Sequence, residues 1–174
     1  HDLLLLLDEV QCGLGRTGEM AGWRTIEPGL VPDAVSWAKG LGGGFPIGAF
    51  WVSERIVADD KPLFSLMGIG SHGSTFGGNP MSSVGALATI RYMLEHDIQG
   101  HALAMGERLA GHLRPAVEAS AVVAELRGKG LMLAIETVQA GSLEPDSGVA
   151  GRIMEQARAA GLLIGKGGLY GNVL

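Results

Sequence analysis

A run of five aliphatic residues, Leu3 to Leu7, constrains the fold most, because it does not alternate with polar residues and stops at Asp8-Glu9. Such a run is typical of a parallel strand that is covered on both faces, and it favours an α/β fold. In open α/β sheets, ligands lie beyond the carboxyl ends of the strands. Asp8 is therefore predicted to lie at a ligand-binding edge.

A lysine is expected at the same edge. Residues 33–38 form a second predicted strand, which leads into Lys39 and then Gly-Leu-Gly-Gly-Gly-Phe-Pro. If the two strands are parallel neighbours, Asp8 and Lys39 lie side by side. Burial at a strand end would lower the pKa of the Lys39 ammonium below its usual value of roughly 10.4 and make the amine a nucleophile. The alternative interpretation is a surface lysine at the start of a glycine turn.

The remaining pattern predicts two regions. Residues 1–95 are interpreted as part of a large doubly wound α/β domain, with a third strand over 47–52 and a helix over 81–95 that begins after the capping pair Asn79-Pro80. Residues 96–174 are interpreted as part of a smaller α+β domain. Its predicted elements are helices over 101–119 and 149–160, strands at 125–126 and 131–136 broken by Gly128-Lys-Gly130, and a strand over 162–164.

Composition excludes several classes of protein. With 47% hydrophobic and 18% charged residues the chain is expected to be globular, and a net charge of −5 gives no basic surface for nucleic acid. The single cysteine, Cys12, fits a reducing cytoplasm, and the longest aliphatic run is too short to span a membrane. No metal site is expected, since the histidines lack paired spacing. Both ends look internal to a longer protein, because the chain starts without methionine and ends within a predicted strand.

Two further motifs indicate a nucleotide-binding domain as the alternative. An aliphatic strand that ends in Asp8-Glu9 is also found in P-loop ATPases, but the required Gly-Lys-Ser or Gly-Lys-Thr loop is absent from this sequence. Gly13-Leu-Gly-Arg-Thr-Gly18 matches the dinucleotide fingerprint. That fingerprint should open a long helix, and Gly22 and Pro28 disfavour one.

A strand-end acid, a strand-end lysine among glycines, and Ser74-Thr75 in a second glycine loop together describe one kind of site. Pyridoxal 5′-phosphate needs a lysine amine for covalent attachment and an anion beside its pyridine nitrogen. It also needs hydroxyl and backbone N–H groups around its phosphate. The sequence therefore predicts pyridoxal 5′-phosphate as the cofactor.

The motifs also resemble a known family. Asp8-Glu-Val-Gln-Cys-Gly-Leu-Gly-Arg-Thr-Gly18, Ala38-Lys-Gly-Leu-Gly-Gly-Gly-Phe-Pro46 and Gly70-Ser-His-Gly-Ser-Thr-Phe-Gly-Gly-Asn-Pro80 resemble the class-III pyridoxal-phosphate aminotransferases, most closely acetylornithine aminotransferases. The resemblance covers essentially the whole chain. It implies a fold-type-I transferase and identifies residues 1–95 as part of the cofactor-binding domain and 96–174 as part of the C-terminal domain.

The resemblance also implies roles for individual residues. Lys39 would hold the cofactor and move a proton, and Asp8 would pair with the pyridinium nitrogen. Val10 would pack on the ring and Gln11 would lie near its phenolic oxygen. In the second loop, Thr75 would bind the cofactor phosphate, usually that of the neighbouring subunit, and Ser74 would line the substrate side.

The implied activity is transamination within a homodimer, from an amine donor such as N-acetylornithine to a 2-oxo acid such as 2-oxoglutarate, with a place in arginine biosynthesis. The closing segment from Gly165 is more like that of 4-aminobutyrate or alanine–glyoxylate aminotransferases, and ornithine aminotransferases are a further alternative. Three family elements lie outside this sequence: the upstream phosphate loop, the ring-stacking aromatic residue, and the carboxylate-binding arginine expected after Leu174.

Overall fold

The computed structural model describes residues 3–57 and 60–174, and the chain divides into two compact units, His1–Ala102 and Leu103–Leu174. The first unit holds a mixed three-stranded sheet in the order β1-β2-β3. Its strands are β1 (Leu6–Asp8), β2 (Ala34–Trp37) and β3 (Ala49–Val52). β1 and β2 are parallel with Asp8 opposite Ser36, which confirms the predicted neighbours, while β3 runs antiparallel to β2.

The first strand is shorter and more exposed than its sequence predicts. β1 spans three residues, and Leu6 is 60% exposed. The expectation of a strand covered on both faces over Leu3 to Leu7 is therefore wrong for the described part of the chain. The physical reason is that, among the described residues, β2 is the one element with extensive contacts to β1, and β2 lies beside β1 in the sheet and does not cover its faces.

A buried aspartate ties the starts of β1 and β2 together. Asp33 accepts a hydrogen bond of 2.8 Å from the backbone N–H of Leu5 and an ion pair of 3.1 Å from Arg55 Nη1. The Leu5 hydrogen bond and, after it, Arg55 hold the pKa of the Asp33 carboxyl below its usual range. The carboxylate thus satisfies a backbone donor that β-sheet pairing leaves free.

Helix α1 (Pro80–Glu95) begins where its capping signal predicts. The Asn79 side chain accepts a hydrogen bond of 3.0 Å from the Ser82 backbone N–H, and Pro80 occupies the first turn, where its missing donor costs nothing. The helix packs on a short 3₁₀ helix, Lys39–Gly42. Gly85 permits this close approach, because a Cβ there would lie 2.7 Å from the Phe45 ring.

The second unit contains most of helix α2 (Ile98–Glu118), the hairpin of β4 (Val123–Lys129) and β5 (Met132–Thr137), and helix α3 (Ser147–Ala159). The two strands are antiparallel, with Lys129 opposite Met132. Gly128 lies inside β4, so the predicted break over Gly128-Lys-Gly130 is wrong. The turn consists of Gly130 and Leu131, and Gly130 has a positive φ of 52°, which a two-residue hairpin turn requires.

The C-terminal residues pair with β5 rather than with the predicted strand over 162–164. Leu174 exchanges both backbone hydrogen bonds with Ile135, and the buried Asn172 donates to the Thr137 carbonyl at 3.0 Å. The strand expected at 162–164 is wrong. Leu162 donates its N–H to Ala157 at the end of α3 instead, and Leu163 is 85% exposed.

In residues 3–57 and 60–174, the helices are too short or too polar to cross a lipid bilayer. Within the same ranges, His, Cys, Asp and Glu side chains form no group of three or more that could bind a metal ion.

Candidate active site

Asp8 is the last residue of β1 and lies at the carboxyl edge of the sheet. Its Oδ1 atom accepts hydrogen bonds from the Val10 backbone N–H at 3.0 Å and from the Ser36 hydroxyl at 3.4 Å. Among the described residues, the second carboxylate oxygen, Oδ2, has no hydrogen-bond partner. Asp8 is therefore an exposed carboxylate that is oriented through one oxygen and open at the other.

Lys39 follows β2 and lies at the same edge. Its Nζ atom donates a hydrogen bond to Gln11 Oε1, which joins the two segments that the sequence predicts to meet. Lys39 has a φ of 47°, in the left-handed region that residues with a Cβ rarely adopt. The predicted burial of Lys39 is wrong, since its side chain is exposed at the start of the 3₁₀ helix.

Val10 and Gln11 lie in a turn between β1 and the glycine loop. The Gly13 N–H donates to the Glu9 carbonyl at 3.0 Å and closes this turn. Val10 is half-buried and Gln11 is exposed. In the same turn, burial and then the charge of Glu9 raise the pKa of the Cys12 thiol. The turn thus presents one apolar and one amide side chain beside Asp8.

Ser74 and Thr75 lie in a separate, exposed loop before α1. Ser74 lines a cleft of about 620 Å³ together with Phe45–Gly48 and the start of α1, and Thr75 is not among its lining residues. In the described part of the chain, no hydrogen bond connects either hydroxyl to Asp8, Gln11 or Lys39. The structure therefore brings together Asp8, Val10, Gln11 and Lys39, but it does not join Ser74 and Thr75 to them.

The Gly13 to Gly18 loop lacks the context of a dinucleotide site. Residues 10–17 form consecutive turns, and the helix that follows is a four-residue 3₁₀ helix, Gly22–Thr25. A dinucleotide fingerprint requires a long helix whose N-terminus faces the pyrophosphate. This observation argues against the nucleotide-binding alternative.

Sequence reasoning missed one residue of this region, Glu9. It is 3% exposed, and its carboxylate accepts the backbone N–H of Gly22 at 2.6 Å and that of Trp23 at 3.0 Å. The acidic pair Asp8-Glu9 was the available signal. It could not show which of the two carboxylates turns inward, because Glu9's partners lie thirteen and fourteen residues further along the chain.

Comparisons with known proteins identify the family of this chain. The sequence profile of the family described as aminotransferase class-III matches residues 1–173. The chain is 40% identical over 164 residues to an acetylornithine aminotransferase of Methanothermobacter thermautotrophicus, covering 94% of this chain and 37% of that protein. It is 33% identical over 174 residues to the 5-aminovalerate aminotransferase DavT of Pseudomonas putida, covering 100% of this chain and 39% of that protein.

A solved structure shares the fold. The taurine:2-oxoglutarate aminotransferase from Bifidobacterium kashiwanohense, in complex with PLP and glutamate, superposes with a TM-score of 0.80 at 30% identity. The match covers 98% of this chain and 38% of that one, so the chain spans about two fifths of the length of its relatives. The predicted fold class, α/β of fold type I, is confirmed. The chain belongs to the class-III aminotransferase family.

Proposed function

We propose that the full-length protein is a pyridoxal-phosphate-dependent transaminase. The observation that carries this proposal is the arrangement at the sheet edge. Asp8 ends β1, Lys39 lies two residues beyond the end of the adjacent parallel strand β2, and the Lys39 amine contacts Gln11 in the turn after β1. Family membership supports the same function.

The residues at this edge fit the chemical demands of the cofactor. The open Oδ2 atom of Asp8 can accept a hydrogen bond from the N–H of a protonated pyridine ring. The backbone N–H of Val10 holds the carboxylate in place by donating to Oδ1. Gln11 offers its amide to the ring's phenolic oxygen, and Val10 offers an apolar face. When bound, pyridoxal phosphate supplies an electron-withdrawing ring that stabilises negative charge on the substrate carbon.

Lys39 has two tasks in this proposal. Its Nζ atom would hold the cofactor covalently, and as a free amine it would move a proton at the substrate carbon. An exposed amine at a sheet edge is accessible for both tasks. Gln11 accepts a hydrogen bond from this amine and keeps it beside the ring position.

Thr75 and Ser74 complete the proposed site from the second loop. We assign Thr75 to the cofactor phosphate of the neighbouring subunit in a homodimer, and Ser74 to the substrate side. Within the described residues, no hydrogen bond joins the Thr75 hydroxyl to Asp8, Gln11 or Lys39, which is compatible with a role of Thr75 in a partner's site. We further assign the stretch 1–95 to the cofactor-binding domain, 96–174 to the C-terminal domain, and the enzyme to the cytoplasm.

The substrate class follows from the relatives. We propose N-acetylornithine as the first candidate for the amine donor and 2-oxoglutarate as the acceptor, in arginine biosynthesis. The reason is that acetylornithine aminotransferases are among the similar proteins. Proteins named for 5-aminovalerate and for alanine–glyoxylate transamination are similar as well. Equal rates with N-acetylornithine and 4-aminobutyrate in a donor panel would contradict a narrow assignment.

Covalent labelling tests the function. The full-length protein is incubated with pyridoxal phosphate, reduced with borohydride and mapped by mass spectrometry. We expect the label on Lys39, its loss in Lys39→Ala, and its retention in the matched control Lys166→Ala, which removes another exposed lysine. Label on a different lysine, or none, would contradict the proposal.

Subunit mixing tests the homodimer and the role of Thr75. Lys39→Ala and Thr75→Ala subunits are each expected to be inactive and to regain activity when mixed. If Thr75 serves the partner's site, each mixed dimer contains one site without substitutions. If Thr75 acts within its own subunit, mixing restores nothing. A monomer in sedimentation experiments would contradict the dimer, and recovery of the enzyme in a membrane fraction would contradict the cytoplasmic location.

A further inference from the structure

The buried carboxylate of Glu9 has no part in the proposed chemistry, although it directly follows Asp8. A carboxylate away from water is stable only if its oxygens are satisfied. Two backbone N–H groups, from Gly22 and Trp23, donate to Glu9 at 2.6 and 3.0 Å, and the Cys12 thiol adds a weaker contact at 3.5 Å. Within the described ranges, no cationic side chain pairs with this carboxylate.

The backbone around Glu9 leaves room for the carboxylate and nothing larger. A Cβ on Gly13 would lie 2.8 Å from Glu9 Oε2, and a Cβ on Gly22 would lie 3.0 Å from both carboxylate oxygens. Gly13 of the turn and Gly22 of the 3₁₀ helix therefore enclose the same carboxylate. Glu9 fastens the turn after β1 to the 3₁₀ helix Gly22–Thr25 through charge-assisted hydrogen bonds, which are stronger than neutral ones.

The fastened turn carries the residues that meet the ring. The Glu9 N–H donates to the Ser36 carbonyl at 3.0 Å, which attaches the first residue of the turn to β2. The Gly13 N–H donates to the Glu9 carbonyl and closes the turn at its other end. Val10 and Gln11 lie between these two points. The Glu9 carboxylate thus anchors the segment that places Gln11 against Lys39.

We propose that Glu9 is a positioning residue: its buried carboxylate fixes the turn over residues 9–13 so that Val10 and Gln11 meet the cofactor ring beside Asp8 and Lys39. Glu9 touches neither cofactor nor substrate and acts through that turn. The inference rests on the proposed function, because it requires a pyridoxal ring at the sheet edge.

The test compares Glu9→Gln with Glu19→Gln in the full-length protein. Glutamine keeps one acceptor oxygen but turns an N–H₂ group toward a backbone N–H, so one of the two strong hydrogen bonds is lost. Glu19 is an exposed acid in the same loop, so its change to glutamine removes an equal charge without disturbing the turn. The readouts are pyridoxal-phosphate affinity and the pH titration of the bound cofactor's absorbance.

We expect Glu9→Gln to weaken cofactor binding by about 10- to 100-fold, the range seen when an outer-shell partner of a metal site is lost, and to shift the absorbance titration. Glu19→Gln should match the wild type in both. A merely structural role would lower the melting temperature of Glu9→Gln and leave the affinity and the absorbance titration unchanged. That result would overturn the inference.

The proposed function and the inference fail in different ways. If borohydride does not label Lys39 in the wild type, the function is wrong and the inference falls with it. If Lys39 is labelled and Glu9→Gln behaves like the wild type, the inference alone is wrong. If Glu9→Gln does not fold, hydrogen exchange of the wild-type protein provides the test. Cofactor binding should slow the exchange of the Gly22 and Trp23 backbone N–H groups, which donate to Glu9. Equal exchange rates with and without cofactor would overturn the inference.

Discussion

Two glycines in α2 should respond in opposite directions to the same substitution. A Cβ on Gly106 would lie 1.9 Å from the carbonyl oxygen of Gly130 and 2.2 Å from its carbon, whereas a Cβ on Gly111 would meet nothing within 4 Å. The backbone of α2 thus lies directly against the turn between β4 and β5 at Gly106. At Gly111 the helix faces open space.

The expected magnitudes follow from this contrast. Alanine in place of glycine inside a helix stabilises by about 0.5–1 kcal/mol, and both variants gain this. Ordinary van der Waals contact begins near 3.4 Å, so Gly106→Ala would force the two backbones about 1.5 Å apart. Such overpacking costs about 1–3 kcal/mol or more. Because the helical gain cancels between the variants, the difference between them measures the contact with Gly130.

Equilibrium urea unfolding of the full-length protein, followed by circular dichroism, provides the measurement. We expect Gly111→Ala to raise the midpoint and Gly106→Ala to lower it. Equal shifts of the same sign in both variants would refute the reasoning, because they would mean that α2 and the hairpin turn separate freely.

Three further predictions concern polar groups. Thr137→Val should destabilise the fold by about 1–3 kcal/mol in urea unfolding, because it removes a buried hydroxyl whose single proton serves the Asp146 carbonyl at 2.7 Å and the Asn172 carbonyl at 3.0 Å. Ser142→Ala, at an exposed hydroxyl, should have little effect. Because the pKa of Asp33 is lower in the folded than in the unfolded chain, the ionised carboxylate stabilises the fold above the unfolded pKa of about 3.9, and this stability is lost as the pH falls through the folded pKa. Asp33→Asn should therefore flatten the acid limb of a curve of unfolding free energy against pH. An unchanged acid limb would contradict this. The raised pKa of Cys12 predicts that iodoacetamide labelling begins at higher pH than for a free thiol, and labelling at or below the free-thiol pH would contradict it.

The sequence predicted those parts of the site that depend on local signals and strand order. Asn79-Pro80 marked the start of α1 because a capping side chain and a proline act within one turn. Asp8 and Lys39 were placed at one edge because parallel strands present their carboxyl ends together. These inferences required no knowledge of distant contacts.

The incorrect predictions depended on what packs against a segment. An aliphatic run at residues 162–164 has strand propensity, but propensity cannot say whether a free sheet edge lies within reach, and the C-terminal residues occupy the position beside β5. The exposure of Lys39 and the burial of Glu9 have the same origin. Whether Glu9 is buried or Lys39 is exposed depends on which other segment folds against each of them, and that contact cannot be seen in the local sequence.

The backbone of Lys39 has a consequence for how this protein can be engineered. A φ of 47° is costly for lysine and free for glycine, and the next residues of the segment are largely glycines already. Replacing Lys39 with glycine should therefore relieve backbone strain and raise stability, while it removes the amine to which the proposed function assigns the cofactor. A redesign guided by stability alone would change this residue early, so Lys39 has to be held fixed in any heat-resistant variant that is meant to keep the proposed function.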